Sequence, residues 1–356
     1  MSVALDIGTS GFRSLRRHEG RLFGRQCPAV YVSLANGKAQ RRLLEQADVT
    51  FSLCDDALIV TGSHALDVSE SLNLPTIPLL PEGQLPTQDP LSRQVAAALI
   101  DAILPVAMQS GVTTNTGTTN TASPICTLIV PGNPQSEGSP ELEFFARLVR
   151  LKGYDPVILS AGHAIALAEL GRESFTGVGI SLGATFSSIC LTHRGQVLSE
   201  ATLPVGTNGI DQAIAQRLNR FLWDAAGNRY FDLFAAKSLR EKLRLPVPAN
   251  ANDDWRLTSQ LIDNSITTIG RELGRMLTRQ KHLTTTDSGP LPVVLSGGLT
   301  RSVGFEEFVQ SRWQQLPGLQ SLGTMRIAND SVWTAARGCL IAAEVEATPA
   351  PISRAA

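Results

Sequence analysis

The sequence predicts an α/β protein built from two duplicated domains with a cleft between them. Three observations carry this. The unit Val-Ala-Leu-Asp6-Ile-Gly8-Thr9, a short apolar strand running into a glycine turn, returns as Val178-Gly-Ile-Ser181-Leu-Gly183-Ala184-Thr185. Asp6 and Ser181 are 175 positions apart, about half of the 356 residues, and a repeat of that period reads as duplication. Both halves alternate short strands with helical stretches, the pattern of α/β layers, over a length suited to roughly two domains.

In the first half, Val3 to Leu5 and Phe12 to Leu15 read as a hairpin around a glycine-rich turn. Ala29 to Val32 and Ala57 to Val60 are further short strands, and Asn73 to Pro90 is Pro-rich and irregular. Ser92 to Leu104 has helical periodicity and stops at Pro105. Thr113 to Ser123, TTNTGTTNTAS, is low-complexity and polar, a flexible surface loop by composition. A buried strand follows at Ile125 to Val130, then a helix over Glu141 to Lys152, a strand at Val157 to Leu159 and a helix over Ala164 to Leu170 ended by Gly171.

The second half restarts the pattern with strand, glycine turn and strand over Val178 to Leu191, then a strand from Gln196 to Leu203. Helices are expected over Gly209 to Trp223, Asp232 to Leu245 and Trp255 to Gln280. The strand Val293 to Leu295 runs into Ser296-Gly297-Gly298, and helices close the chain over Gly304 to Leu316 and Ser331 to Val345, before a frayed tail from Ala347. The four tryptophans, Trp223, Trp255, Trp313 and Trp333, are expected on helices as core or subdomain contacts.

Bulk properties narrow the function. A net charge of −1 and a pI near 6.5 argue against a nucleic-acid binder held by a basic field. The five cysteines are scattered without a CxxC, which reads as reduced thiols and neither a disulfide framework nor a zinc site. Val95 to Met108, the most apolar helical stretch, is broken by Asp101 and Pro105 and is too short to span a bilayer. The first strand begins at Val3, leaving no room for a basic-then-apolar leader; the expected location is the cytoplasm, with no support for membrane contact.

The glycine turns carry the chemistry. Turns without Cβ atoms let backbone N–H groups approach phosphate oxygens, and small hydroxyls add hydrogen bonds. A carboxylate just before such a turn, Asp6 ahead of Gly8-Thr9-Ser10-Gly11, cannot bind phosphate but can hold a hydrated Mg²⁺ that does. Gly183-Ala184-Thr185 can clamp the same phosphates from the other domain, and Ser296-Gly297-Gly298 can admit a flat nucleoside against bare backbone.

In their order and spacing these motifs resemble the actin-like ATPase superfamily, whose fold pairs two ribonuclease-H-like domains around a nucleotide cleft. VALDIGTSGFR is similar to its first phosphate motif, VGISLGATFSSICL to the second and VVLSGGLTR to the adenosine motif. PVILSAGHAIALAELGR is similar to the helix connecting the domains, and SVWTAARGCLIAA to the C-terminal helix that returns to the first. The resemblance spans residues 2 to about 343. The stretch from Arg25 to Val32 and ALIVTGSHALDVSESLNLPTIPLLPEGQL is similar to the bacterial cell-shape actins. The resemblance implies a first domain over 1–172 plus 328–356, with a small subdomain at about 27–74, and a second over 173–327, with one at about 208–276. It further implies bound ATP or GTP with Mg²⁺ held by Asp6 through water, Arg13 on the phosphates beside Ser181, and Lys237, Arg240 and Glu241 (around LREKLRL) at the nucleoside.

Departures from the family pattern bear on turnover. Ser181 stands where the second motif opens with Asp, and Ala184 where it has Gly. By ungapped alignment, the Glu or Gln that positions the attacking water is Gly162, with His163 beside it as a substitute water-orienting group. Weakened nucleotide binding and slow or absent hydrolysis are expected. The resemblance thus implies a head-to-tail filament of identical subunits, a cytoskeletal or cell-shape role. Its alternative is a degenerate scaffold of a pilus or secretion-type assembly that binds a partner protein. A small-molecule kinase or chaperone ATPase ranks below both, because no general-base Asp is legible and the chain ends soon after the last helix.

Overall fold

The structure is a computed structural model that describes residues 2–86, 89–107, 123–133, 139–223, 227, 229–280, 289–320 and 322–348. The hairpin of β1 (Val3–Gly8) and β2 (Gly11–His18) continues into β3 (Arg21–Pro28). A small subdomain then branches off: β4 (Val30–Ala35), α1 (Lys38–Gln46), β5 (Ser52–Cys54), β6 (Ala57–Thr61), α2 (Gly62–Leu72) and the short β7 (Ile77–Pro78). Its sheet runs β5-β6-β4-β7 over a core of its own that includes Val32, Leu34, Leu44, Leu58 and Val60. The chain returns through a 3₁₀ turn at Pro81–Gly83 to α3 (Pro90–Ile103), β8 (Ile125–Ile129), α4 (Pro140–Leu151), β9 (Asp155–Ile158) and α5 (Ala161–Glu169). Asp89 and Ser139 cap α3 and α4, each followed by proline at the first helical position, where a missing N–H costs nothing.

The second half repeats this path with β10 (Gly177–Leu182), β11 (Ser187–His193), β12 (Gln196–Leu203) and α6 (Thr207–Arg217). Then come the ribbon β13 (Phe221–Trp223) and β14 (Arg229–Phe231), α7 (Leu233–Lys242), α8 (Asp253–Arg279), β15 (Leu291–Gly297), α9 (Phe305–Trp313), β16 (Leu322–Ile327) and α10 (Thr334–Glu346). The first large sheet has the order β3-β2-β1-β8-β9 and the second β12-β11-β10-β15-β16. Each has three antiparallel strands and then two parallel ones, so the duplication read from the sequence is a duplication of topology. β1 and β10, central in their sheets and covered on both faces, are buried almost throughout, which is why they read as continuous apolar runs.

Several expectations are corrected. The helix expected over Gly209 to Trp223 ends at Arg217, because Phe221 stacks on Phe231 at 5.2 Å and Arg229 lies over its ring at 4.2 Å, closing a ribbon. Trp223 is therefore on a strand, 58% exposed, and not in a core, whereas Trp313 is buried and donates from Nε1 to Ile266 O at 3.0 Å. β3, α1, α2 and β16 are elements beyond those expected from the sequence. The 113–123 loop, apart from Ser123, and most of the tail fall outside the described residues.

The two halves meet where α5 and α10 cross. Gly338 of α10 lies so close to α5 that a Cβ there would overlap Ala164 O. α10 also packs on Ala4, Leu15 and Ile129 of the first sheet, so the last helix of the chain belongs to the first half. A second contact joins the two halves beside the cleft. The Phe186 ring, just after the glycine turn of β10, presses on Gly83 at φ +80°, where a Cβ would overlap it.

Candidate functional site

Three turns and a helix converge on one cavity between the sheets. Asp6, Gly8, Thr9, Ser10 and Arg13 come from the β1–β2 hairpin, and Ser181, Gly183, Ala184 and Thr185 from β10–β11. Lys237, Arg240 and Glu241 come from α7, and Gly297 and Gly298 from the end of β15. Of the residues singled out in the sequence, Gly11 and His163 do not line it. Gly11 closes the turn, paired to Gly8. His163 faces away, with Nε2 3.3 Å from Gly195 O; burial pulls its pKa down and keeps the ring neutral, against the nearby Glu200 carboxylate. The reading of His163 as a water-orienting group is therefore corrected.

Gly162 is also displaced from its expected place. Ser160 caps α5 and Ala161 is its first residue; both line the cavity, and Gly162 does not. Its N–H donates to Ser188 Oγ at 3.1 Å, and a Cβ there would crowd Gly179 O and Cys190 N, so it is a packing glycine. Each residue turns a helix by about 100°, so an alignment error of one residue exchanges a cavity wall for a helix–sheet contact.

At one end of the cavity Asp6 is nearly buried and faces Arg13, with Nη1 donating to Oδ2 at 3.2 Å. Burial raises the Asp6 pKa, and the guanidinium opposes that rise. Arg13 Nε and Thr185 Oγ1 are buried without a hydrogen-bond partner. Both can donate, both belong to residues that line the cavity, and they come from opposite halves of the molecule. Buried partnerless polar atoms are uncommon, and an acceptor held between the two turns would satisfy both of these.

At the other end, Arg240 grips Asp211 of α6 through Nε at 2.6 Å and Nη2 at 3.0 Å, and donates from Nη1 to Gly298 O at 3.2 Å. Both side chains are almost fully buried. Arg240 thus ties α6, α7 and the Gly297–Gly298 turn together, a role that the sequence did not reveal, since its partner is 29 residues away. Gly297 needs its freedom: at φ +115° a Cβ would overlap Leu182 O of the neighbouring strand. Charged lining residues are Arg13, Lys237, Arg240 and Arg301 against Asp6, Asp211 and Glu241, a balance that favours an anion.

No cluster of three or more His, Cys, Asp or Glu side chains suited to a metal occurs among the described residues. A hydrated Mg²⁺ does not require one, because it keeps most of its waters and leans on substrate phosphates, so Asp6 with the hydroxyl of Ser181 fits an ion held through water.

A family model described as Volactin matches residues 1–343. Among solved structures, the MamK double helical filament matches with a TM-score of 0.66 at 15% identity, covering 97% of this chain and 99% of that one. MreB5 of Spiroplasma citri bound to AMPPNP matches with a TM-score of 0.63 at 14% identity, covering 97% of this chain and 96% of that one. The same protein bound to ADP matches at 13% identity with the same TM-score and coverage. No curated protein matches in sequence. At these identities the likeness is one of fold, the two-domain actin-like fold. No helix among the described residues is long and apolar enough to cross a membrane.

Proposed function

The chain belongs to the Volactin family, and from that premise we propose that it is an actin-like protein that binds ATP with Mg²⁺ in its cleft and assembles head to tail into filaments. The observation that carries the nucleotide reading is the pair of buried, partnerless donors, Arg13 Nε and Thr185 Oγ1, on residues that line the cavity from the two halves. A terminal phosphate between the two glycine turns satisfies both. MamK as a filament and MreB5 with AMPPNP and ADP support the assembly and the adenine nucleotide respectively.

In this reading, the backbone of Gly8 to Gly11 and of Gly183 to Thr185 cradles the phosphates, with Arg13 as their counter-charge. Asp6 would hold the metal through water, and the metal would supply charge neutralisation on the phosphates. The nucleoside lies on Gly297–Gly298, flanked by Lys237 and Glu241, while Arg240 holds that wall in place. Hydrolysis is slow, because Ser181 brings no charge where phosphoryl transfer needs a polarised, positioned water. That deficit favours a second reading, a scaffold that binds nucleotide or a partner and turns over little.

Thr185→Val tests the proposal, since it keeps the shape and removes the donor. The hydroxyl has no partner in the nucleotide-free chain, so thermal stability without nucleotide is expected to stay the same. Affinity for Mg-ATP is expected to fall by about tenfold or more, the worth of one hydrogen bond to a charged group. Sedimentation should show assembly of the unmodified chain with Mg-ATP above a critical concentration, raised in the variant. Equal ATP affinity in the two proteins overturns the nucleotide reading, and binding without sedimenting polymer selects the scaffold.

A further inference from the structure

The floor of the cavity is a ladder of hydroxyls. In the antiparallel pairing, Ser181 of β10 lies opposite Ser188 of β11, and Ser188 opposite Thr202 of β12. All three line the cleft. Directly opposed residues share a face, and so do alternate residues of a strand. Cys190 and Glu200, the next opposed pair, therefore extend the same ladder away from the phosphate turns. Glu200 reaches the cleft indirectly. Ser160 Oγ, which lines it, donates to Glu200 Oε1 at 2.5 Å.

We propose that Glu200 is a positioning residue for hydrolysis, acting through Ser160 in place of the carboxylates missing from position 181 and from the start of α5. The inference rests on the reading of the cleft as a nucleotide site. Ser160 has its proton directed to Glu200 and one lone pair occupied by His163 N–H at 3.2 Å, the helix cap. The other lone pair is left for a water in the cleft. A hydroxyl that donates to an ionised carboxylate makes a short, charge-assisted bond and becomes a better acceptor itself. It orients the water as a charged side chain at the helix start would do.

The step balances as follows. The water oxygen bonds to the terminal phosphorus while its proton passes to Ser160 Oγ. The Ser160 proton passes to Glu200 Oε1. The phosphorus–oxygen bond to the nucleoside diphosphate breaks, its electron pair leaving with the diphosphate. Glu200 then returns its proton to solvent. The titratable groups facing Glu200 are Cys190 of β11 and His163 of α5, the thiol held protonated and the imidazole neutral by burial.

The experiment is single-turnover phosphate release by the full chain under saturating Mg-ATP, with nucleotide affinity and thermal midpoint measured alongside. Glu200→Gln keeps an acceptor for Ser160, and Ser160→Asn keeps a helix-capping side chain while removing the hydroxyl. Each is expected to lower the release rate by about 100-fold, the scale of positioned acid–base groups, with affinity and midpoint unchanged. The double variant should be no slower than either single one, as expected of two groups that act in one relay. A release rate unchanged in Glu200→Gln overturns the proposal. So does a wild-type chain that binds Mg-ATP and releases no phosphate, which leaves the cleft reading intact. A wild-type chain that binds no nucleotide overturns both. If Glu200→Gln loses stability, Ser160→Asn decides alone: a normal rate in that variant overturns the relay.

Discussion

Arg240→Ala is expected to destabilise the second domain by about 3–5 kcal/mol, the cost of leaving a buried carboxylate without its counter-charge. The guanidinium is 2% exposed and makes two hydrogen bonds to Asp211 and one to Gly298 O, all of which the variant loses. Urea unfolding with a domain-specific probe should show the midpoint drop. The paired replacement Asp211→Leu with Arg240→Met should recover most of that loss, because apolar side chains of similar volume can substitute for a buried ion pair. It should not restore nucleotide affinity, since the Gly297–Gly298 wall loses its tie to α7. If Arg240→Ala unfolds at the wild-type midpoint, the pair has no structural role and Arg240 has to be assigned directly to the ligand.

Gly338→Val is expected to act at the joint between the halves. Its Cβ would overlap Ala164 O, and the atom in the way is backbone, which cannot rotate aside. The helices must separate, opening gaps beside Ala4, Ile129 and Cys339. Overpacking of this kind costs about 3 kcal/mol, at the upper end of its usual range. Because α5 also carries Ser160 and Ala161 into the cleft, the same displacement should weaken Mg-ATP binding. Gly171→Val, at an exposed position after α5 where a Cβ would meet the Phe175 ring at an ordinary contact distance, is the control and should do neither. Equal melting and binding in Gly338→Val and the unmodified chain would show that the two helices are free to part.

The sequence made some of this legible and hid the rest for identifiable reasons. The turns at Gly8, Gly183 and Gly297 stood out because glycine follows a buried strand at each, a combination that local pattern records. The two sheets followed from the repeat of that unit. Hidden were features that depend on partners far along the chain. Asp211 and Arg240 look like ordinary helical charges until the fold brings them together. Glu200 has no motif around it; only the strand register sets it beside Ser160. Gly162 was misplaced because alignment cannot fix which side of a helix a residue faces at its first turn. Phe221 to Trp223 continued a plausible helical pattern, and only its stacking on Phe231 across the ribbon made it a strand.

The contact of Phe186 on Gly83 has a kinetic consequence. The α5–α10 crossing joins the halves on one side, and the Phe186 ring on Gly83 joins them again beside the cleft, so a movement that opens the cleft there parts the ring from the glycine. Residence time in the cleft is then set partly by an apolar contact between its two halves. Such a contact loses strength on cooling. A chain whose cleft is fastened in this way should exchange its contents disproportionately readily in the cold, so that temperature regulates turnover without any change in the chemistry of the site.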